Sequence, residues 1–147
     1  MILGKDQHGV VVTFTERKSH FMLLRHVSSK FSDLVAQAVI ALLKWVTHLE
    51  SITSDNGKEF VAHLEISQSL SMDFYFSRPY VSWERGNNEN TNGLIRQYLP
   101  KSRSLKNLSF QNETRVMDCI DLRPRKGLDF RSPFEVFFSH QLVTLTS

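Results

Sequence analysis

"HGVVVTFTERKSHFMLLRHV" (His8–Val27) decides how the chain folds. Its first half, His8–Lys18, is rich in Val, Thr and Phe, the β-branched and aromatic residues that fit a pleated, half-buried surface. Its second half, His20–Val27, is another apolar run, and a short polar link at Arg17–Ser19 joins the two. Strands joined this closely pair antiparallel. Upstream, "ILGK" (Ile2–Lys5) reads as the stub of an earlier strand, connected through the turn-forming "DQHG". The chain therefore opens as an antiparallel meander of three strands whose first member is short.

Downstream the pattern changes. Val35, Val39, Leu42, Val46 and Leu49 recur at steps of four and three, the apolar stripe of a helix over Ser32–Leu49, with Ser32 and Asp33 suited to its start. "SIT" (Ser51–Thr53) is a short strand that leads into Asp55-Asn56-Gly57, a turn signal. A helix over Phe60–Leu70 and a strand over Met72–Ser77 follow, the latter stopped by Pro79. Further helices fit Asn88–Leu99, closed by Pro100, and Asn112–Leu122, ahead of Pro124; a last short one fits Pro133–Ser139. The order β-β-β-α-β-α-β-α predicts an α/β fold: a mixed sheet with helices on its faces. No repeat, linker or low-complexity tract divides the chain, so one domain is expected.

With 147 residues, 41% hydrophobic and 11% aromatic, the chain has the material for a packed core. No apolar run approaches the length of a membrane span, and "MILGKDQHG" lacks the pattern of a signal peptide. The single cysteine, Cys119, allows no internal disulfide and fits a reducing cytoplasm. The formal charge of +3 is unevenly spread. From Arg78 to Arg131 the bases, among them Lys101, Arg103, Lys106, Arg115, Arg123, Arg125 and Lys126, outnumber the acids. Such a stretch suits a polyanion such as nucleic acid, or simply a solubilising surface.

Two carboxylates stand out. Asp55 follows a short strand, and sites in open α/β sheets lie beyond the carboxyl ends of strands. An ordinary Asx turn or helix cap is the alternative there. Glu89 sits in the first turn of its expected helix, where the macrodipole favours a negative group. Asn92, Gly93 and Arg96 follow at three, four and seven residues and share its face. Amides and a guanidinium suit contact with phosphates and bases, though a solvated face has the same composition. Carboxylates are hard ligands for Mg²⁺, and two such ions about 3.5–4 Å apart clamp both oxygens of a phosphoryl transfer. No zinc-type His/Cys spacing, P-loop, nucleophile elbow or dinucleotide fingerprint competes.

Five blocks, taken in order, are similar to a known family: "ERKSHF" (Glu16–Phe21), "TSDNGKEF" (Thr53–Phe60), "YFSRPY" (Tyr75–Tyr80), "WERGNNENTNGLIRQYLPK" (Trp83–Lys101) and "RPRKGL" (Arg123–Leu128). Together they resemble the integrase-type catalytic domain of IS30-family transposases. The resemblance implies a ribonuclease H-like fold and a DDE site of two aspartates and one glutamate. It implies two Mg²⁺ or Mn²⁺ ions, with water as nucleophile for strand cleavage and a freed 3′-hydroxyl for strand transfer. Asp55 would be the second acid and Glu89 the third. Asn56, Arg85, Asn90, Asn92 and Arg96 would line the DNA side. Lys101, Arg123, Arg125 and Lys126 are candidate phosphate contacts by charge. The implied partners are insertion-sequence ends and target DNA, in a homo-oligomer.

Two departures accompany the resemblance. Family members resemble Gly-Asp-x-Ile-x-Gly in the first strand. In that register Met1 follows the first catalytic aspartate, which would be residue zero; Asp6 lies in the turn beyond Gly4. The expectation is a shortened strand, an incomplete metal site and no amino-terminal helix-turn-helix, as in a truncated copy, a reading frame opened at an internal methionine, or a fragment. Such a chain would bind DNA without cutting it. Asp121 stands where the family usually has asparagine before Arg-Pro-Arg.

Overall fold

The structure, a computed structural model, describes residues 1–5, 9–47, 49–55, 57–78, 86–139 and 143–146. The expected meander is present. β1 (Ile2–Leu3) and β3 (Met22–Val27) both pair antiparallel with β2 (Val10–Glu16). Glu16 clasps the turn between β2 and β3. Its carboxylate accepts from the backbone N–H of Lys18 at 3.1 Å and of Ser19 at 2.7 Å, and from the Ser19 hydroxyl at 2.6 Å. Those bonds are what permit a buried carboxylate at this position. The "ERKSH" block is thus explained by hairpin geometry.

Every residue of β2 is buried, and its side chains alternate between two cores. Val12 and Phe14, with Leu23 and Val27 of β3, pack under α1 (Ser32–Leu43) through Val35, Val39 and Leu42. Val11, with Met22 and Leu24, packs on the other face under α3 (Gly86–Tyr98) and α4 (Phe110–Asp121), through Ile95, Val116 and Ile120. Each fully buried side chain of this size contributes roughly 1.5–3 kcal/mol.

The rest of the sheet is parallel. β4 (Leu49–Ser54) pairs with β5 (Asp73–Phe76), with α2 (His63–Leu70) between them in sequence. After α5 (Pro133–Ser139) comes β6 (Val143–Thr146), whose Val-Thr-Leu-Thr run suits a strand but stands outside the expected element order. It lies between β2 and β4, antiparallel to the first and parallel to the second. β3 takes the whole of one edge of β2, so β1 and β6 share the other edge, pointing the same way. Thr146 stands opposite Thr15 and Ile2 opposite Val11.

Most element boundaries lie within about two residues of the expected ones, and the larger differences are at the end of α1 and the start of α2. The helix expected to reach Leu49 ends at Leu43, and Leu49 begins β4. Val46 and Leu49 still reach the core, so the apolar period continues through a change of structure, while Trp45, Val46 and Thr47 are weak helix formers. α1 starts at Ser32 as expected, with Asp33 in its first turn; Phe31 precedes it as N-cap without a side-chain cap. The helix expected from Phe60 is split into a 3₁₀ turn at Lys58–Phe60 and α2 from His63.

Two close approaches brace β1. Gly9 has φ +77°, and a Cβ there would lie 2.6 Å from the Leu105 carbonyl oxygen; a Cβ on Gly4 would lie 2.9 Å from the Leu105 nitrogen. α4 covers the outer edge of β3 with two buried carboxylates. Asp121 Oδ1 accepts from the Met22 N–H at 2.9 Å, and Glu113 Oε1 from the His26 N–H at 3.1 Å. Arg25 faces Glu113 at 3.6 Å. A strand edge whose donors are capped this way offers little to a foreign strand.

Burial pushes the Asp121 carboxyl up to about 8, against the Met22 hydrogen bond and Arg125, which favour the ionised form. At neutral pH it is therefore mostly a neutral carboxylic acid, close in shape and charge to the asparagine of the family pattern.

Two outcomes are expected. Gly9→Ala should lower stability by more than about 1 kcal/mol in urea unfolding, because the backbone conformation and the Leu105 contact both oppose a Cβ. Between its ordinary 3.8 and about 8, Asp121 holds a proton in the folded chain that the unfolded chain has released. Its stabilising contribution is complete below pH 4 and falls as pH rises to 8. Melting temperatures at pH 5, 7 and 9 should show Asp121→Asn gaining on the parent as pH rises; a constant difference contradicts this.

Candidate functional site

The registers bring the two acids towards one place. Thr15 pairs with Thr146, and Thr146 with Thr53, so the three are level across the sheet. β4 runs opposite to β2. Asp55, two residues past Thr53, is therefore level with Thr13, two residues before Thr15. One lane separates the strands, which sets the backbones about 9–10 Å apart. Ile52 lies in the core under α1, so the alternation of β4 assigns Thr53 and Asp55 to the face that α3 covers. Asp55 is half-buried, and its carbonyl accepts the Ser54 hydroxyl at 2.9 Å.

α3 meets β2 at the same level. The Thr13 hydroxyl donates to Asn92 Oδ1 at 3.0 Å. Glu89 lies one turn before Asn92, exposed, in the first turn of α3. The helix start and the end of β4 thus approach one lane of the sheet from two directions. The wall between them is polar. Thr13, Thr15 and Thr91 are all buried, and the hydroxyls of Thr15 and Thr91 have no hydrogen-bond partner among the described residues. The carboxylates of Asp55 and Glu89 and the threonine hydroxyls offer oxygen ligands, the type that suits Mg²⁺ or Mn²⁺. Mg²⁺ commonly takes one or two carboxylates and completes its shell with phosphate oxygens and water, so the two acids fit such an ion. Among the described residues no three His, Cys, Asp or Glu side chains form a metal cluster.

The remaining expected residues divide into two groups. Asn92 and Arg96 turn inward. Half-buried Arg96 donates to the Leu3 carbonyl at 3.0 Å and to the Leu99 carbonyl at 3.4 Å, tying α3 to β1. The polar face expected to meet DNA is in this part engaged with the sheet. Asn90, Arg123 and Arg125 instead converge on a cleft of about 390 Å³ between α3 and the end of α4. Lys101 and Lys126 are exposed in turns that follow α3 and α4. Asn56 and Arg85 lie outside the described residues. Sequence reasoning missed Thr13 and Thr15, although strand alternation along β2 was the signal that puts them on one face. It also missed Tyr98, which the helical period from Asn90 brings to the cleft.

No family model matches the chain. Its sequence is 44% identical over 137 residues to the transposase for insertion sequence element IS4351 of Bacteroides fragilis, covering 92% of this chain and 42% of the relative. It is 38% identical over 134 residues to transposase InsI for insertion sequence element IS30C of Escherichia coli (strain K12), covering 90% and 34%. The transposase for insertion sequence element IS1086 of Cupriavidus metallidurans is 36% identical over 142 residues, covering 92% and 41%. The chain spans about two fifths of the length of these relatives, or less. Among solved structures, the catalytic core domain of BIV integrase matches with a TM-score of 0.67 at 16% identity, over 89% of this chain and 86% of that one. A chain of the simian T-cell lymphotropic virus intasome, solved with the PP2A regulatory subunit B56 gamma, also gives 0.67, at 17% identity over 97% and 57%. The fold is that of an integrase catalytic core, ribonuclease H-like, as expected.

Arg96→Ala should lower stability by about 1.5–3 kcal/mol in urea unfolding, the range for hydrogen bonds to a charged group, and Arg96→Lys should recover only part of it. An unchanged midpoint for Arg96→Ala would show that the tie to Leu3 contributes nothing.

Proposed function

Because the chain belongs to the IS30-family transposases over the stretch it shares with them, we propose that it carries two acids of a DDE site, Asp55 and Glu89, for cleaving and joining DNA strands. The observation that supports this most is the register that sets Asp55 level with Thr13, whose hydroxyl holds the helix of Glu89. In the register of β1, the position before Met1 also falls opposite Thr13. The first aspartate that the family resemblance implies belongs in the lane between the other two acids.

In this reading Asp55 and Glu89 hold Mg²⁺ or Mn²⁺ against the phosphodiester. When bound, the ions neutralise charge on the phosphoryl oxygens and lower the pKa of the attacking group. The protein positions. Thr13 fixes the rotation of α3, Arg96 fixes its distance from β1, and the start of the helix favours a negative group at Glu89. The exposed bases Lys101, Arg123 and Lys126, with half-buried Arg125, take up the DNA backbone without reading sequence. Asn56 and Arg85 remain candidates for the same role. The partners are insertion-sequence ends and target DNA, and the working form is a homo-oligomer.

Two measurements test this. Duplex affinity should fall steeply with salt, by about 0.9 log units per log unit of salt for each phosphate contact. Mn²⁺ added with DNA should broaden the backbone NMR signals around Asp55 and Glu89, and Asp55→Asn or Glu89→Gln should remove the effect. Cleavage of duplex ends in Mn²⁺ that Glu89→Gln abolishes makes these 147 residues catalytic by themselves. Salt-dependent binding and broadening without cleavage makes them a DNA- and metal-binding unit. No response at either acid sinks the site.

A further inference from the structure

The cleft between α3 and the end of α4 is built unlike a simple phosphate-binding surface. Asn90, Leu94, Gln97 and Tyr98 fall at steps of four, three and one, a single stripe of α3 that lines one wall. Ile120 and Cys119 of α4 line the other, and Arg123 and Arg125 stand at its end. Each kind of side chain has one counterpart in a nucleotide. The half-buried Tyr98 ring and the Leu94 and Ile120 side chains offer flat and apolar surface to a base. The exposed amides of Asn90 and Gln97 carry both donors and acceptors for a base edge. The two guanidiniums lie two residues apart; burial first, and then the charge of Arg123, oppose the positive charge of Arg125 while Asp121 supports it, and an anion beside the pair would favour it further. The volume of about 390 Å³ is at the small end of ligand pockets and has no room for a duplex.

We propose that this cleft holds one unpaired nucleotide of a DNA strand, with its base against Tyr98 and its phosphate between Arg123 and Arg125. The proposal rests on the DNA reading above and deepens it. Asn90 directly follows Glu89 in α3, and Tyr98 lies eight residues, about 12 Å, beyond Asn90, so a strand whose base rests on Tyr98 can run back along the helix to the acid. The cleft would seat a displaced or frayed strand end while the neighbouring phosphodiester reaches the carboxylates.

Cys119, the chain's single cysteine, is exposed and lines the cleft, which makes it a reporter of occupancy. The test is the rate of its alkylation by N-ethylmaleimide in the intact chain. Single-stranded oligothymidylate should slow the reaction, whereas an abasic oligomer of equal length should not. Tyr98→Leu should raise the oligothymidylate concentration needed for protection by about 5- to 150-fold, the worth of one base–aromatic stack, and leave duplex affinity unchanged. Tyr98→Phe should keep the protection. Arg123→Ala should reduce the salt slope of single-strand binding by about 0.7. Single strands that bind without protecting Cys119, or abasic and natural oligomers that protect equally, overturn the nucleotide site while the DNA reading stands. Thymidine monophosphate protecting as well as the oligomer also overturns it, by reassigning the cleft to free nucleotides. Failure of both duplex and single strands to bind overturns the two readings together.

Discussion

β2 is paired on both edges and covered on both faces, and the elements around the site take their positions from it. One edge is filled by β3; the other is held by β1 at Val10 and Val11 and by β6 at Thr15 and Glu16. One face carries the core under α1, the other the core under α3 and α4. A strand held on four sides has no freedom to slip, because a one-residue shift exchanges its two faces. That fixity is what gives Thr13 its value. A hydroxyl on such a strand is a fixed point from which α3, and with it Glu89, is set against the end of β4.

The three-strand meander, the alternating α/β half and α5 were legible in the sequence, and Asp55 and Glu89 stood out there as candidate acids. Val-rich alternation, helical periods and ordered motif blocks are local signals, and each reports on a local event. What failed to show was set by packing. The β-branched residues of Val143–Thr146 suit a strand, but nothing in them says that it fills the lane between β2 and β4; the sheet decides that. The inward turn of Asn92 and Arg96 was hidden for a related reason. A helical wheel groups residues on a face without saying which neighbour that face meets, and here it meets Thr13 and the Leu3 carbonyl. The grouping of Asn90 with Arg123 and Arg125 depends on how α3 and α4 lie together, which neither helix states alone.

The buried acids illustrate how environment revises a residue's chemistry. Glu16, Glu113 and Asp121 are all buried carboxyls with backbone N–H partners, and all three serve the hairpin of β2 and β3. Glu16 ties its turn, while Glu113 and Asp121 cap the donors of its open edge. Asp121 looks like a change of charge when set against the family pattern. Burial turns it into a near-neutral group that does the work of an amide, so the fold absorbs the departure at neutral pH.

The place of β6 has a consequence for how the sheet assembles. Among the described strands, β6 alone links the antiparallel half to the parallel half, lying between β2 and β4. Its pairing of Thr146 with Thr15 closes a loop of about 130 residues, and contacts so distant in sequence form late and slowly. The two halves of the sheet can therefore take shape separately, and the level on which Thr13 and Asp55 meet is set only when this strand docks.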